Sequence, residues 1–276
     1  MVKYSILMSV YKNDNPLWLD EAIDSMLKQT ISCNQFVIIQ DGAITKEIGK
    51  ILKKYKEKFP DLFKIIALEK NVGLGEALRI GVTHCDYEYI ARMDSDDYSV
   101  PNRIEQQLKI ITSNPKIGIV GSNVYEFIEN IETPVTRIVF PENHDEIVSF
   151  SKKRCPFRHP AVIFRKSKIL EAGNYAECYL LEDYDMYLRM IISGSKCYNV
   201  QNELTYVRIN KDFYKRRGGL KYFFSTLKFK TSYFNKGYFT FWEYIFTTVP
   251  HLIVILMPNT LRDWFYKIFL RESINE

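Results

Sequence analysis

Cysteine is scarce and scattered, with five residues at 33, 85, 155, 178 and 197 and no Cys-x-x-Cys pair. That argues against a zinc ribbon or a disulfide knot and fits buried thiols in a reducing compartment. Glycine (12) and proline (10) are too few for a collagen-like or low-complexity chain. A long apolar run is missing as well. Ile245 to Met257 is 13 residues and contains Pro250 and His251, short of the roughly 20 that a membrane span needs. Residues 1–10 hold an apolar run too short for a signal-peptide core and read as a strand. No Gly-x-Gly-x-x-Gly follows the first strand. Gly73-Leu74-Gly75 follows the third, with Leu78 where the last glycine belongs, which argues against an NAD-dependent oxidoreductase.

What is present is a globular chain of 276 residues, 46% hydrophobic and 26% charged, long enough to bury a sizeable core. Its net charge of +5 is unevenly spread. Residues 208–276 hold 12 Lys and Arg against 5 Asp and Glu, so the rest of the chain is slightly acidic, and this tail also carries 18 of the aromatics. Two units are expected: an α/β domain over 1–207 and a helical, basic and aromatic extension over 208–276.

Within the first unit, short β-rich runs (Tyr4–Val10, Gln35–Gln40, Phe63–Leu68, Tyr87–Met93) alternate with stretches whose apolar residues recur three and four apart (Leu17–Thr30, Lys46–Lys58, Gly75–Thr83). Strand–helix alternation with short connections predicts βαβ units and a mainly parallel sheet. Ligands of such sheets bind beyond the carboxyl ends of the strands. There the sequence places Ser9-Val10-Tyr11, then Gln40-Asp41-Gly42, then Asp94-Ser95-Asp96-Asp97; Asn71-Val72-Gly73 leads into the third helix.

Carboxylates at 94, 96 and 97 repel one another unless a cation or several donors neutralise them. Mg²⁺ or Mn²⁺ takes oxygen ligands and keeps positions for water and substrate phosphates. The plainer explanation is a solvated loop whose aspartate caps the helix over Pro101–Ile111. Glu182 and Asp183 open another amphipathic segment, where acids commonly serve as capping groups favoured by the helix dipole. The functional alternative makes Asp183 a general base. His159, between Arg158 and Pro160, is by itself more often structural than a ligand.

Taken together these pieces resemble the family 2 glycosyltransferases, from Tyr4 to about Arg208. The resemblance rests on Ser9-Val10-Tyr11, Asp41-Gly42, Asn71-x-Gly73, the run Ala91-Arg92-Met93-Asp94-Ser95-Asp96-Asp97 with its D-x-D signature, and Pro101-x-Arg103. It continues through His159-Pro160, Ala172-Gly173 and Glu182-Asp183-Tyr184-Asp185. It implies the GT-A nucleotide-sugar-binding fold and inverting transfer from a UDP-sugar. It further implies that Asp41 meets the base of the donor with Val10 and Tyr11 lining that pocket, and that Asn71 and Gly73 belong to the donor site. Asp94 would approach the ribose or the metal, and Asp96 would bind the Mn²⁺ or Mg²⁺ that bridges the diphosphate. Asp97 would orient its neighbours or the sugar, Arg92 and His159 would line the donor site, and Asp183 would act as base beside Glu182. Two departures stand out: Gln40 replaces the first of the often paired acids, and Arg79 stands where many relatives have Asn. The Gln-x-x-Arg-Trp signature of processive synthases is absent, so one sugar per encounter is expected.

Lys211 to Lys230 contains seven Lys and Arg interleaved with aromatics. An interfacial anchor on anionic lipid accounts for this best, ahead of plain core packing and of a nucleic-acid patch. Relatives of this size build O-antigen or capsule units on undecaprenyl diphosphate. The resemblance therefore implies a lipid-linked saccharide acceptor, no nucleic-acid partner, and a cytoplasmic position on the inner face of a bacterial plasma membrane. The competing classes are a non-catalytic nucleotide-sugar-binding or scaffold protein and a metal-dependent nucleotidyltransferase. The latter lacks its glycine-rich triphosphate loop, since Ser9–Pro16 offers Lys12 but no glycine.

Overall fold

A computed structural model describes residues 2–209, 218–258, 261–262 and 272–273. Strand and helix alternate as the periodicity predicts: β1 (Tyr4–Val10), α1 (Pro16–Leu27), β2 (Gln35–Gln40), α2 (Lys46–Lys58), β3 (Phe63–Ala67), α3 (Leu74–His84) and β4 (Tyr89–Arg92). The helix starts follow local chemistry. Asn15 accepts the Leu17 and Trp18 amides ahead of Pro16, and Thr45 accepts the Ile48 amide.

These four strands lie parallel in the order β3-β2-β1-β4. The order reverses between β1 and β4, which opens a crevice at their carboxyl ends. Beyond β4 the sheet becomes mixed. β8 (Ile163–Arg165) runs antiparallel to β4 and to β6 (Ile117–Phe127). The long β9 (Lys196–Arg208) pairs parallel with β6 and, near its end, antiparallel with β5 (Tyr98–Ser99). β7 (Thr136–Ile138) and β10 (Glu272–Ser273) complete that edge.

Alternation along the strands feeds two cores. Tyr4, Ile6, Met8 and Val10 of β1 face α1, α2 and α4 (Arg103–Ser113). Leu7 and, from β2, Val37 and Ile39 face the opposite layer of α3, α5 (His144–Ser151), α6 (Lys166–Glu171) and α7 (Glu182–Ile192). In the tail, α8 (Leu220–Asn235) and α9 (Phe241–Leu256) pack with α7 around Leu181, Tyr184, Leu188, Phe229, Tyr233 and Ile255. The extension thus packs on α7 rather than on the sheet, in a core the two share. The basic run over 210–217 lies outside the described residues.

One glycine is dictated by close approach. Gly42 follows β2 with φ +81°, and a Cβ there would stand 2.5 Å from the Asn71 backbone nitrogen. Neither the dihedral nor the spacing tolerates a side chain. Gly42→Ala should therefore lower stability by about 2–3 kcal/mol, read as a lower urea midpoint at unchanged m-value.

Candidate active site

The crevice is built from the residues that follow β1, β2 and β4. After β2, Asp41 is 4% exposed. Its carboxylate accepts hydrogen bonds from the Val72 amide (2.7 Å), the Gly73 amide (3.1 Å) and Asn71 Nδ2 (2.9 Å). Asp41, Asn71 and Gly73 therefore form one unit, in which the carboxylate shapes the turn entering α3 and Gly73 supplies φ +87°. Val10 is buried beside it and Tyr11 is 37% exposed at the rim. The Val10 carbonyl accepts the Asp41 amide at 2.8 Å.

The acids after β4 occupy different environments. Asp94 forms an ion pair with Arg92, whose side chain is 1% exposed. Burial pushes the Asp96 carboxyl up to about 7, and the charges of Asp94 and Asp14 add to the shift while Arg92 opposes it. Asp97 is raised well above the carboxylate range by burial and by its two acidic neighbours. Its Oδ1 accepts the Arg208 amide at 2.7 Å, so Asp97 fastens the loop to the end of β9.

Two residues of this group are absent from the motif reading. Asp14 is turned back by the Tyr11 amide, which donates to its Oδ2 at 3.0 Å. Burial, with Asp94 adding, raises its carboxyl to about 6. The local signal was available: an Asn-Asp pair in a turn directly after a strand. Arg208 had none, because the contact spans 111 positions. Its Nε donates to the Asp96 carbonyl (2.9 Å) and its Nη2 pairs with Glu21 (2.5 Å). The guanidinium lies over the rings of Trp18 and Phe127.

Arg92 links this loop to α7. Its Nε and Nη2 have no hydrogen-bond partner among the described residues. The Tyr187 hydroxyl is likewise unpartnered. His159 is 8% exposed and its Nε2 shares a 2.8 Å hydrogen bond with the Tyr175 hydroxyl. Burial and the nearby Arg92 cation hold its pKa well below the usual histidine range, so the imidazole is neutral. His159 thus sits near Arg92, among Tyr175 and Tyr187.

At the start of α7, burial and then the Asp183 charge push the Glu182 carboxyl up to about 7; Arg92 opposes this and Asp94 adds to it. The acids of α7 therefore share one electrostatic neighbourhood with those after β4. Asp183 Oδ1 accepts the Tyr184 amide at 2.7 Å, and the Cys155 thiol lies 4.0 Å from Oδ2. A Cβ on Gly75 would stand 3.1 Å from Glu182 Cβ, so α3 and α7 meet at their first turns.

Among the described residues no group of three or more His, Cys, Asp or Glu is arranged to hold a metal ion. The donor set that remains is Asp94 with Asp96. The chemistry of that pair fits Mg²⁺ or Mn²⁺: two hard oxygen ligands, one of them with its ionisation suppressed by burial and then by acidic neighbours, and positions left for phosphate and water.

Residues 5–173 match the family model described as glycosyl transferase family 2; α7 lies beyond that match. Over 99% of its length the chain is 35% identical to an Escherichia coli protein, of which the match covers 98%. That protein is named UDP-Gal:alpha-D-GlcNAc-diphosphoundecaprenol beta-1,3-galactosyltransferase. A second E. coli relative, the O-antigen biosynthesis glycosyltransferase WbnJ, is 37% identical over 71% of this chain and 74% of its own length. Among solved structures, S. aureus TarS 1–349 in complex with UDP-GlcNAc superposes with a TM-score of 0.61 at 16% identity. That superposition covers 82% of this chain and 66% of TarS 1–349, and it is a likeness of fold.

The raised carboxyls carry a stability consequence. Glu182 and Asp96 bind protons more tightly folded than unfolded, so ionising them opposes folding. The metal-free protein should lose stability as pH rises from about 4 through about 7. Glu182→Gln should flatten part of that decline and be the more stable form at pH 7.5, by on the order of 2 kcal/mol; thermal midpoints across the range test this.

Proposed function

We propose that this chain, which belongs to glycosyl transferase family 2, transfers one sugar from a UDP-sugar, with inversion, to a hydroxyl of a saccharide carried on a lipid diphosphate. The pathway is bacterial surface polysaccharide synthesis, and the protein works as a peripheral one on the cytoplasmic face of the plasma membrane. The observation that supports this most is the electrostatic union of two acid groups from distant parts of the chain. Glu182 at the head of α7 feels both Arg92 and Asp94 at the end of β4. An in-line displacement would need donor-binding and proton-accepting carboxylates to face one reacting carbon, and the closeness of Glu182 to Arg92 and Asp94 supports that reading. The names of the relatives (UDP-Gal with GlcNAc-diphosphoundecaprenol for one, O-antigen biosynthesis for the other) support the donor and acceptor classes.

In this reading the turn tied together by Asp41, Asn71 and Gly73, with Val10 and Tyr11, receives the uridine. Asp94 and Asp96 hold Mn²⁺ or Mg²⁺. When bound, such a cation offsets the charge that develops on the departing diphosphate. Asp183 accepts the proton of the acceptor hydroxyl as that oxygen attacks the anomeric carbon from the face opposite the leaving group. Glu182, whose carboxyl burial and then the Asp183 charge raise to about 7, can hydrogen-bond a sugar hydroxyl. Arg92 stabilises Asp94 from beneath. Asp97 and His159, each held by a protein partner, orient the wall rather than meet the reacting atoms.

A positioned base contributes about 10²–10⁴-fold, so Asp183→Asn should lower kcat by that factor while the donor Kd changes less than about two-fold. Asp96→Ala should instead abolish the Mn²⁺-dependent part of UDP-sugar binding in calorimetry. A panel of UDP-hexoses and UDP-N-acetylhexosamines with a GlcNAc-diphosphate-lipid analogue, read by product mass, identifies the donor. No transfer from any member would sink the proposal.

A further inference from the structure

The surface of α9 inverts the usual rule for a helix facing water. Phe241, Trp242, Phe246, Val249, Ile253 and Leu256 are 47–68% exposed, and with Pro250 they account for every exposed position of the helix. Spacings of four and three align residues 242, 246, 249, 253 and 256 in a single stripe. The polar groups of α9 are turned inward or paired: Thr248 is buried, and Glu243 is bound by Lys152 at 2.8 Å and caps the helix with Thr240. A contiguous apolar stripe of this kind marks an interaction face.

The charge on the neighbouring helix α8 selects its occupant. Residues 218–258 contain four lysines and the single acid Glu243. Lys230 is buried, whereas Lys221, Lys228 and Lys236 are exposed on or just after α8, beside exposed Leu220 and Phe224. A second copy docking through this face would set these lysines against like charges. An anionic bilayer satisfies both features at once, since aromatic and aliphatic side chains enter the acyl boundary while lysines meet phosphate head groups. No described helix is long and apolar enough to cross a membrane, so α9 lies along the surface.

We infer that the exposed face of α8 and α9 is an insertion surface for an anionic phospholipid bilayer, and that it fixes the height of the catalytic crevice above that bilayer. The second clause follows from packing. Tyr184 and Leu188 of α7 share a core with Tyr222, Phe229 and Tyr233 of α8, and the Tyr233 hydroxyl donates to Asp185 Oδ1 at 2.8 Å. The helices that meet lipid are therefore one packed body with the helix that begins at Glu182 and Asp183. The inference deepens the membrane-linked reading above and rests on it only for the identity of the acceptor.

Sedimentation of the full chain with vesicles, without donor or acceptor, tests the surface by itself. The protein should pellet with phosphatidylglycerol/phosphatidylcholine vesicles at low salt. Phe246→Ser with Ile253→Ser should weaken binding about 100-fold. Lys221→Gln, Lys228→Gln and Lys236→Gln together should weaken it about 100-fold on anionic vesicles only. Bromolipids should quench a fluorescence component that Trp242→Phe removes. In transfer assays the Phe246/Ile253 variant should match the parent on a water-soluble acceptor and lose at least about ten-fold on one embedded in vesicles. Wild-type chain that ignores anionic vesicles would overturn the inference, as would undiminished binding by the double variant. So would an oligomer that the double variant splits while vesicle binding is unchanged. Vesicle binding without any sugar transfer would instead count against the enzymatic reading alone.

Discussion

Acidic side chains at 94, 96 and 97 in one loop, with Asp14 of the turn after β1 close by, would drive the end of β4 apart. Three arginines, each almost wholly removed from water, prevent this in three different ways. Arg92 lies beneath the loop as a counter-charge to Asp94. Arg103 is fully buried and donates to the carbonyls of Arg92 (2.8 Å) and Val162 (3.1 Å), which pins β4 and the approach to β8 to α4. Arg208 closes the loop from the far side, through its amide to Asp97 and its guanidinium to the Asp96 carbonyl. The cost of burying the three guanidiniums is large, and even the Arg103 group is pulled down to about 9. A fold that needed only a turn at this point would not be built this way. Together the three arginines hold the carboxylates of 94, 96 and 97 concentrated at one strand end.

That constraint also explains where the rest of the chain goes. The return of β9 alongside β6 brings Arg208 to the loop, although the two are far apart in sequence. The α3–α7 contact at Gly75 and Glu182 then sets the second group of acids opposite the first. Each wall of the crevice is thus anchored by a different covalent stretch, and the cation of Arg92 is felt by both groups of acids.

The parallel half of the sheet was legible because its cues are local: apolar runs of fixed length, helical spacings between them, and acids directly after strands. Asp41 shows the limit of such cues. Its position after β2 was readable, but its three donors from residues 71–73 depend on Gly42 allowing two loops to touch. His159 and Asp97 were visible as motif members, while their partners, Tyr175 and Arg208, come from tertiary pairing that no spacing encodes. The mixed half of the sheet was hidden for a similar reason. The three-residue β7 and β8 carry almost no periodic signal and exist as strands because β6, and for β8 also β4, offers them a ladder.

The tail carries this logic to its end. Composition alone made 208–276 a separate, basic and aromatic unit, and an unattached anchor would satisfy that composition. The packing is otherwise. Lys230 is buried and donates to the Lys152 carbonyl at the end of α5, and burial lowers its ammonium to about 8. The Tyr238 hydroxyl meets Ser151 at 2.6 Å, and the Tyr184 hydroxyl donates to the Ser151 carbonyl at 2.5 Å. Buried polar contacts of this kind fix orientation more than they add stability, because each is costly to break and worth little net when made. A tether would need none of them. A unit whose outward face must keep a set angle to the acids of α7 needs all of them.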